Sequence, residues 1–97
     1  ERSIEINPLN SYAYKGLGLC FVRLENRAKG IAMLKKAIEY APAEFTDPYY
    51  DLAVVYIENN EILQAVKVLE QGFSVSDLFR KEHLELYSSL KDKISGL

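Results

Sequence analysis

The sequence predicts an all-α protein made of about five helices stacked as antiparallel pairs, and three observations lead there. Apolar residues recur at three- and four-residue steps along most of the chain, with no strand-like alternation. Helix-breaking residues fall at regular intervals between these periodic stretches. The chain also repeats itself: Ile6-Asn7-Pro8 and Tyr40-Ala41-Pro42 each end a helical pattern and place their prolines 34 residues apart. A shift of 35 superposes Leu17 on Leu52, Gly18 on Ala53, Phe21 on Tyr56, Gly30 on Ala65, Leu34 on Leu69 and Ala37 on Gly72. Large residues meet large and small meet small, the signature of a structural repeat.

The elements follow in order. Ser3 to Asn7 reads as the last turn of an earlier helix, and the opening residues read as a start cut from a longer chain. A helix over 11–24 carries Tyr14, Leu17, Gly18 and Phe21 on one face, with Asn10-Ser11 as its N-cap signal. Glu25-Asn26 marks a turn, because Asn tolerates the left-handed conformation that ends a helix. The next helix, over 28–41, presents Ile31, Leu34, Ala37 and Ile38. In the second copy, Asp47 is the expected N-cap and Pro48 the first residue of a helix over 48–58, which carries Tyr49, Leu52, Ala53 and Tyr56. Asn59-Asn60 turns the chain into a helix over 61–74 with Ile62, Ala65, Val66, Leu69 and Phe73. A last helix over 77–94 has a single apolar stripe, Phe79, His83, Leu86, Tyr87, Leu90 and Ile94, and polar residues on its other faces.

Composition narrows the function classes. The 97 residues are 48% hydrophobic and 27% charged, with net charge −2, which suits one small folded unit. A single cysteine, Cys20, excludes an internal disulfide framework and a Cys-rich zinc site. It leaves the compartment open, with the cytoplasm favoured. The longest apolar run, Gly16 to Val22, is far short of a membrane span, so no membrane insertion is expected.

On these residues the chain resembles the tetratricopeptide repeat family. The family pattern W-x2-L-G-x2-Y, A-x3-F, A, P is matched by Tyr14, Leu17, Gly18, Phe21, Gly30, Leu34, Ala37 and Pro42. It returns as Tyr49, Leu52, Ala53, Tyr56, Ala65, Leu69 and Gly72, with Asp77 where proline is usual. The resemblance implies a right-handed superhelical α-solenoid. It divides the chain into the end of a preceding repeat (1–8), repeats over 9–42 and 43–76, and a capping helix over 77–97. Bulky Tyr87 stands in the small-residue slot of the last helix.

The inner helices each carry a second apolar stripe beyond the one needed for pairing. In the first it is Lys15, Leu19 and Val22, flanked by Tyr12 and Arg23; in the second it is Tyr50, Val54 and Ile57, flanked by Asp51 and Glu58. The resemblance implies that these faces line a concave groove for a peptide or partner helix. Some family members hold a C-terminal carboxylate there with Lys, Asn and Arg. Here Lys15 and Lys81 fit, but Leu19 replaces the asparagine, Asp51 stands where an amide is wanted and Glu85 replaces the arginine. Carboxylates at 51 and 85 repel an anionic tail, so an apolar or amphipathic segment is the expected ligand.

Other chemistries find little support. Residues 1–45 carry 7 basic and 5 acidic groups and 46–97 carry 5 and 9, so neither half has the basic excess of a phosphate binder and no nucleic-acid partner is expected. Arg27, Lys29, Lys35 and Lys36 read as a solvated outer face. His83 is the only histidine and falls on an apolar stripe, so no catalytic residue, metal site or cofactor is expected. Gly16-x-Gly18 lies inside a helix pattern without a third glycine, and is no phosphate loop. Gly18 serves helix packing, Gly16 is left for close approach at the groove, and Cys20 is expected to be buried and unreactive. The expectation is thus a non-catalytic protein-interaction module using Tyr12, Lys15, Leu19, Val22, Arg23, Tyr50, Asp51, Val54 and Ile57. The competing reading is a structural segment whose apolar faces pack within a larger protein or self-associate through the face left open at the first repeat.

Overall fold

The computed structural model describes residues 8–95, which form α1 (Pro8–Arg23), α2 (Arg27–Tyr40), α3 (Asp47–Glu58), α4 (Ile62–Val75) and α5 (Asp77–Ser95), with no strand among them. Each expected helix is present with its ends within three residues of the expected positions. The turn expected at Ser3 to Asn7 lies outside the described residues.

The repeat is written into the backbone as well as the side chains. At the end of α1, the Glu25 N–H donates to the Val22 carbonyl at 3.0 Å and the Asn26 N–H to the Phe21 carbonyl at 2.8 Å. Thirty-five residues on, the Asn60 N–H donates to Ile57 at 2.9 Å and the Glu61 N–H to Tyr56 at 2.8 Å. Both are Schellman closures, each turning on one left-handed residue, Glu25 (φ 62°) and Asn60 (φ 63°). The left-handed position of the first turn is therefore Glu25, not Asn26, which instead precedes α2 and accepts from the Gly30 N–H at 3.0 Å. Such short connections leave α1 antiparallel to α2, and α3 antiparallel to α4.

Two helix starts differ from the sequence reading. Helix α1 begins at Pro8, whose fixed φ suits an opening position. Ser11 consequently lies a full turn inside. Its buried hydroxyl donates to the Ala37 carbonyl at 2.7 Å, tying α1 to α2 rather than capping a helix. At α3, Asp47 is the first helical residue and follows Thr46, with no side-chain cap bond. Asp47 contributes a negative charge to the first turn, which the helix dipole favours.

Small residues set the spacing within pairs. A Cβ built on Gly18 would lie 3.0 Å from the Gly30 carbonyl oxygen, and one on Gly30 would lie 3.0 Å from that of Gly18, so the backbones of α1 and α2 cross where neither has a side chain. In the second pair the equivalent positions are Ala53 and Ala65, both fully buried. Gly72 leaves room for Phe79 of α5, whose ring edge would meet an added Cβ at 2.4 Å.

The core gathers on α3 and α4: Tyr49, Leu52, Ala53, Val55, Tyr56, Ala65, Val66, Val68 and Leu69, joined by Leu34 of α2 and by Phe79 and Leu90 of α5. Helix α5 lays its single stripe on this cluster, while Arg80, Lys81, Glu82, Glu85, Ser88, Ser89, Lys91, Asp92 and Lys93 are all exposed. The Ser76 hydroxyl accepts from the Phe79 N–H at 3.1 Å and starts the helix. Tyr87, too large for a close crossing, meets Phe73 edge-on at 5.0 Å and donates its hydroxyl to Glu70 at 2.7 Å. The helix is interrupted at His83, whose backbone (φ −120°, ψ 15°) leaves the helical region.

Among the described residues Gly16 serves no close approach, since a Cβ there would meet nothing within 4 Å. Two substitutions are therefore expected to act in opposite directions in urea melts. Gly16→Ala should stabilise by about 1 kcal/mol through helix propensity alone. Ala53→Leu should overpack the α3–α4 crossing and cost about 1–3 kcal/mol. A neutral Ala53→Leu would show that the two helices do not meet at this residue.

Candidate interaction surface

Three inner helices come together around one ion pair. Lys15 of α1 and Asp51 of α3, both half-buried, stand 3.6 Å apart from Nζ to Oδ2. That distance holds a Coulomb contact but no hydrogen bond, and Oδ2 is buried without a hydrogen-bond partner. Burial is the chief cause that raises the Asp51 carboxyl above its ordinary pKa; the Lys15 charge counteracts this and the Asp47 charge adds to it.

Aromatic rings flank the pair. Tyr12 is 65% exposed, carries the Lys15 ammonium 5.7 Å over its ring, and leans on Phe45 at 5.7 Å. Tyr50 stacks on His83 of α5, centroids 4.8 Å apart and planes within 22°. Phe79 lies 4.5 Å from His83 and 6.1 Å from Tyr49, so α5 joins α3 through rings. The resulting cleft, about 220 Å³, is lined by Lys15, Thr46, Asp47, Tyr50, Asp51, Phe79, Glu82 and His83.

Of the residues singled out in the sequence, Lys15, Asp51 and Tyr50 meet at this cleft. Leu19 and Val54 lie one turn further along their helices, half-buried and outside the core cluster. Val22 and Ile57, a turn beyond, spend part of their surface on the core, Val22 reaching Gly30. Arg23 is exposed. On α5 the sequence reading weighed Lys81 and Glu85 for the groove but not Glu82 and His83, although Leu86 continues the period and places these two a turn before it, on the stretch that meets α3.

A second surface lies on α1. Leu9, Ala13, Leu17, Cys20 and Leu24 follow helical spacing and are all exposed. Their counterparts in α3 are not: Leu17 is 47% exposed and Leu52 2%, and Val55, the counterpart of Cys20, is buried. Helix α2 packs against α3, whereas α1 has no equivalent neighbour among the described residues. The expectation of a buried Cys20 is therefore corrected: it is exposed, and no described helix packs over its face.

The basic residues of α2 are mostly exposed, and some lie over aromatic rings. Lys29, Lys35 and Lys36 are exposed, two of them over rings, Lys29 on Phe21 at 5.4 Å and Lys36 on Tyr14 at 5.8 Å. Arg27 pairs with Glu61 and links the turns of the two copies. Among the described residues no helix is long and apolar enough to cross a membrane, and no group of three or more His, Cys, Asp or Glu side chains is placed to hold a metal ion.

A family model described as tetratricopeptide repeat matches residues 11–44 and 46–77. No curated protein and no solved structure matched the chain.

The raised Asp51 pKa has a defined sign. An acid whose pKa is higher in the folded state contributes stability while protonated, fully present below its unfolded value and lost as pH rises through the folded one. The stability of Asp51→Asn relative to wild type is expected to be greater at about pH 7 than at about pH 4; a gap in melting temperature that does not shrink on acidification contradicts the burial. Cys20 is expected to react rapidly with a small maleimide in dilute protein. Slow labelling under those conditions would place a cover over the α1 face.

Proposed function

The chain belongs to the tetratricopeptide repeat family, and we propose that it binds an apolar or amphipathic peptide or helix along the inner faces of α1 and α3. Repeats of this family generally mediate protein–protein interactions and are generally not catalytic. The observation that carries the proposal is the Lys15–Asp51 contact at 3.6 Å. It draws the inner faces of α1 and α3 together, and one turn on from it Leu19 and Val54 remain outside the core cluster. Tyr12, Tyr50 and Arg23 border this strip, and Val22 and Ile57 continue it toward the core. An apolar centre with Tyr and Arg at its edge has the composition of an interface. The strip sits on packed helices rather than loops, so little ordering is lost on the protein side when a ligand binds. No nucleic acid, cofactor or metal enters this reading.

A structural reading is favoured by a different observation, the exposed stripe of Leu17, Cys20 and Leu24 on α1, over which no described helix packs. In that reading the stripe packs on another copy or another part of a larger protein.

The two are separable. Leu19→Asp with Val54→Asp should abolish partner capture while the circular dichroism spectrum stays helical; unaltered capture would put the interface elsewhere. Light scattering coupled to size exclusion tests the alternative: a concentration-dependent dimer that protects Cys20 from maleimide supports association through α1. A monomer at all concentrations removes self-association.

A further inference from the structure

We propose that a second copy of this chain covers the exposed stripe of α1, the two α1 helices lying antiparallel about a two-fold axis that passes between Gly16 and Leu17. The inference rests on the reading of that stripe as a packing surface and names its occupant.

Leu9, Ala13, Gly16, Leu17, Cys20 and Leu24 are all exposed, Leu9 to 79%, Leu17 to 47% and Leu24 to 75%. Leu24 continues the helix, since its N–H donates to the Cys20 carbonyl at 3.0 Å. Along the stripe the steps are four, three, one, three and four residues, a series that reads the same from either end. An antiparallel copy centred between positions 16 and 17 therefore sets Leu9 against Leu24, Ala13 against Cys20 and Gly16 against Leu17. Large residues oppose large ones at the ends and small oppose small further in. At the centre each Leu17 enters the gap left by the other copy's glycine. One patch that complements itself in this way is what a two-fold interface requires. A parallel copy would bring Leu17 onto Leu17 and leave Gly16 facing Gly16.

Gly16 supplies an independent observation. Gly18, Gly30 and Gly72 each make room for an atom of a neighbouring helix, whereas a Cβ on Gly16 would meet nothing within 4 Å among the described residues. Glycine in a helix interior is destabilising relative to alanine. The missing side chain is accounted for once Leu17 of a second copy lies across it, as Gly18 and Gly30 let α1 and α2 cross. Charge does not oppose the pairing. Helix α1 holds no carboxylate, and of its two cations Lys15 is engaged with Asp51. The two copies of Arg23 would stand about 20 Å apart along the pair, at a rise of about 1.5 Å per residue. Stable interfaces bury about 1,200–2,000 Å². One pair of helices of 16 residues, each about 24 Å long, offers less. The dimer is therefore expected to be weak and to form only in concentrated protein.

The test reads association by light scattering and its geometry by disulfide trapping with diamide. In the antiparallel pair Ala13 opposes Cys20, while the two copies of Cys20 lie about 10 Å apart along the axis, too far to be bridged. Ala13→Cys is therefore expected to form a covalent dimer at least about tenfold faster than wild type, and adding Cys20→Ser to it should abolish the trapping. Gly16→Gln, which fills the central gap, should weaken the dimer at least about tenfold while the circular dichroism spectrum stays helical. If wild type is trapped as fast as Ala13→Cys, or Gly16→Gln dimerises as wild type does, while the dimer still protects Cys20 from maleimide, the antiparallel pairing is overturned and association through α1 stands. A dimer that leaves Cys20 open to maleimide overturns both. A chain that stays monomeric up to about 1 mM overturns self-association and leaves the stripe to another part of a larger protein.

Discussion

The structure depends on α3 being packed from several sides at once. Helix α2 lies against it from one side and α4 from another, and the rings of α5 reach Tyr49 and Tyr50. Such a helix needs apolar residues around most of its circumference, and Tyr49, Leu52, Ala53, Val55 and Tyr56 are buried accordingly. The arc with Asp47, Tyr50, Asp51, Val54, Ile57 and Glu58 is what retains partial or full exposure. The candidate surface is therefore what remains of α3 after its neighbours are satisfied. That origin explains its mixed character: the arc carries residues chosen neither for a dry core nor for full solvation.

The first copy shows what happens when the same pattern has fewer neighbours. Leu17 and Leu52 occupy equivalent positions, yet one is nearly half exposed and the other almost completely buried. Nothing intrinsic to leucine or to helix pattern differs between them. What differs is a helix on one side, which α3 has in α2 and α1 lacks among the described residues. Burial in a repeat is a property of the stack, and each unit supplies half of an interface. The tight glycine crossing of α1 and α2 and the buried Ser11–Ala37 hydrogen bond hold the first pair together despite that open flank.

The same logic explains what was legible in the sequence. Helix positions could be read because Pro8, Pro42, Pro48 and the Asn-containing turns interrupt a clear 3.6-residue period. The packing roles of Gly18, Gly30 and Gly72 could be read because a 35-residue shift pairs them with other small residues. Cys20 could not be placed, because periodicity identifies an apolar face without saying whether anything covers it. Ser11 was ambiguous for a related reason: a hydroxyl near a helix start resembles a cap until the helix is found to begin a turn earlier. Glu25 in a left-handed conformation goes against residue preference, and only the repeat of the Asn60 turn explains its position. The cleft was half visible. Lys15 and Asp51 stood out on the inner helices, while Glu82 and His83 enter through the docking of α5, whose rings meet Tyr49 and Tyr50 of α3.

The Lys15–Asp51 contact also shows how a lysine on an inner helix is engaged within the fold. A lysine at this position on the first inner helix resembles the start of a carboxylate-holding groove. An opposing aspartate at 3.6 Å spends that lysine internally, and Asp47 and Glu82 leave negative charge in excess around it. The backbone and the helix spacing need not change for this. A few side chains on the exposed arc of α3 and on the facing turn of α5 set the charge that lines the cleft. Because the rest of α3 is fixed by packing, side chains on that arc can change at little cost to the fold, which separates them from the residues that specify the stack.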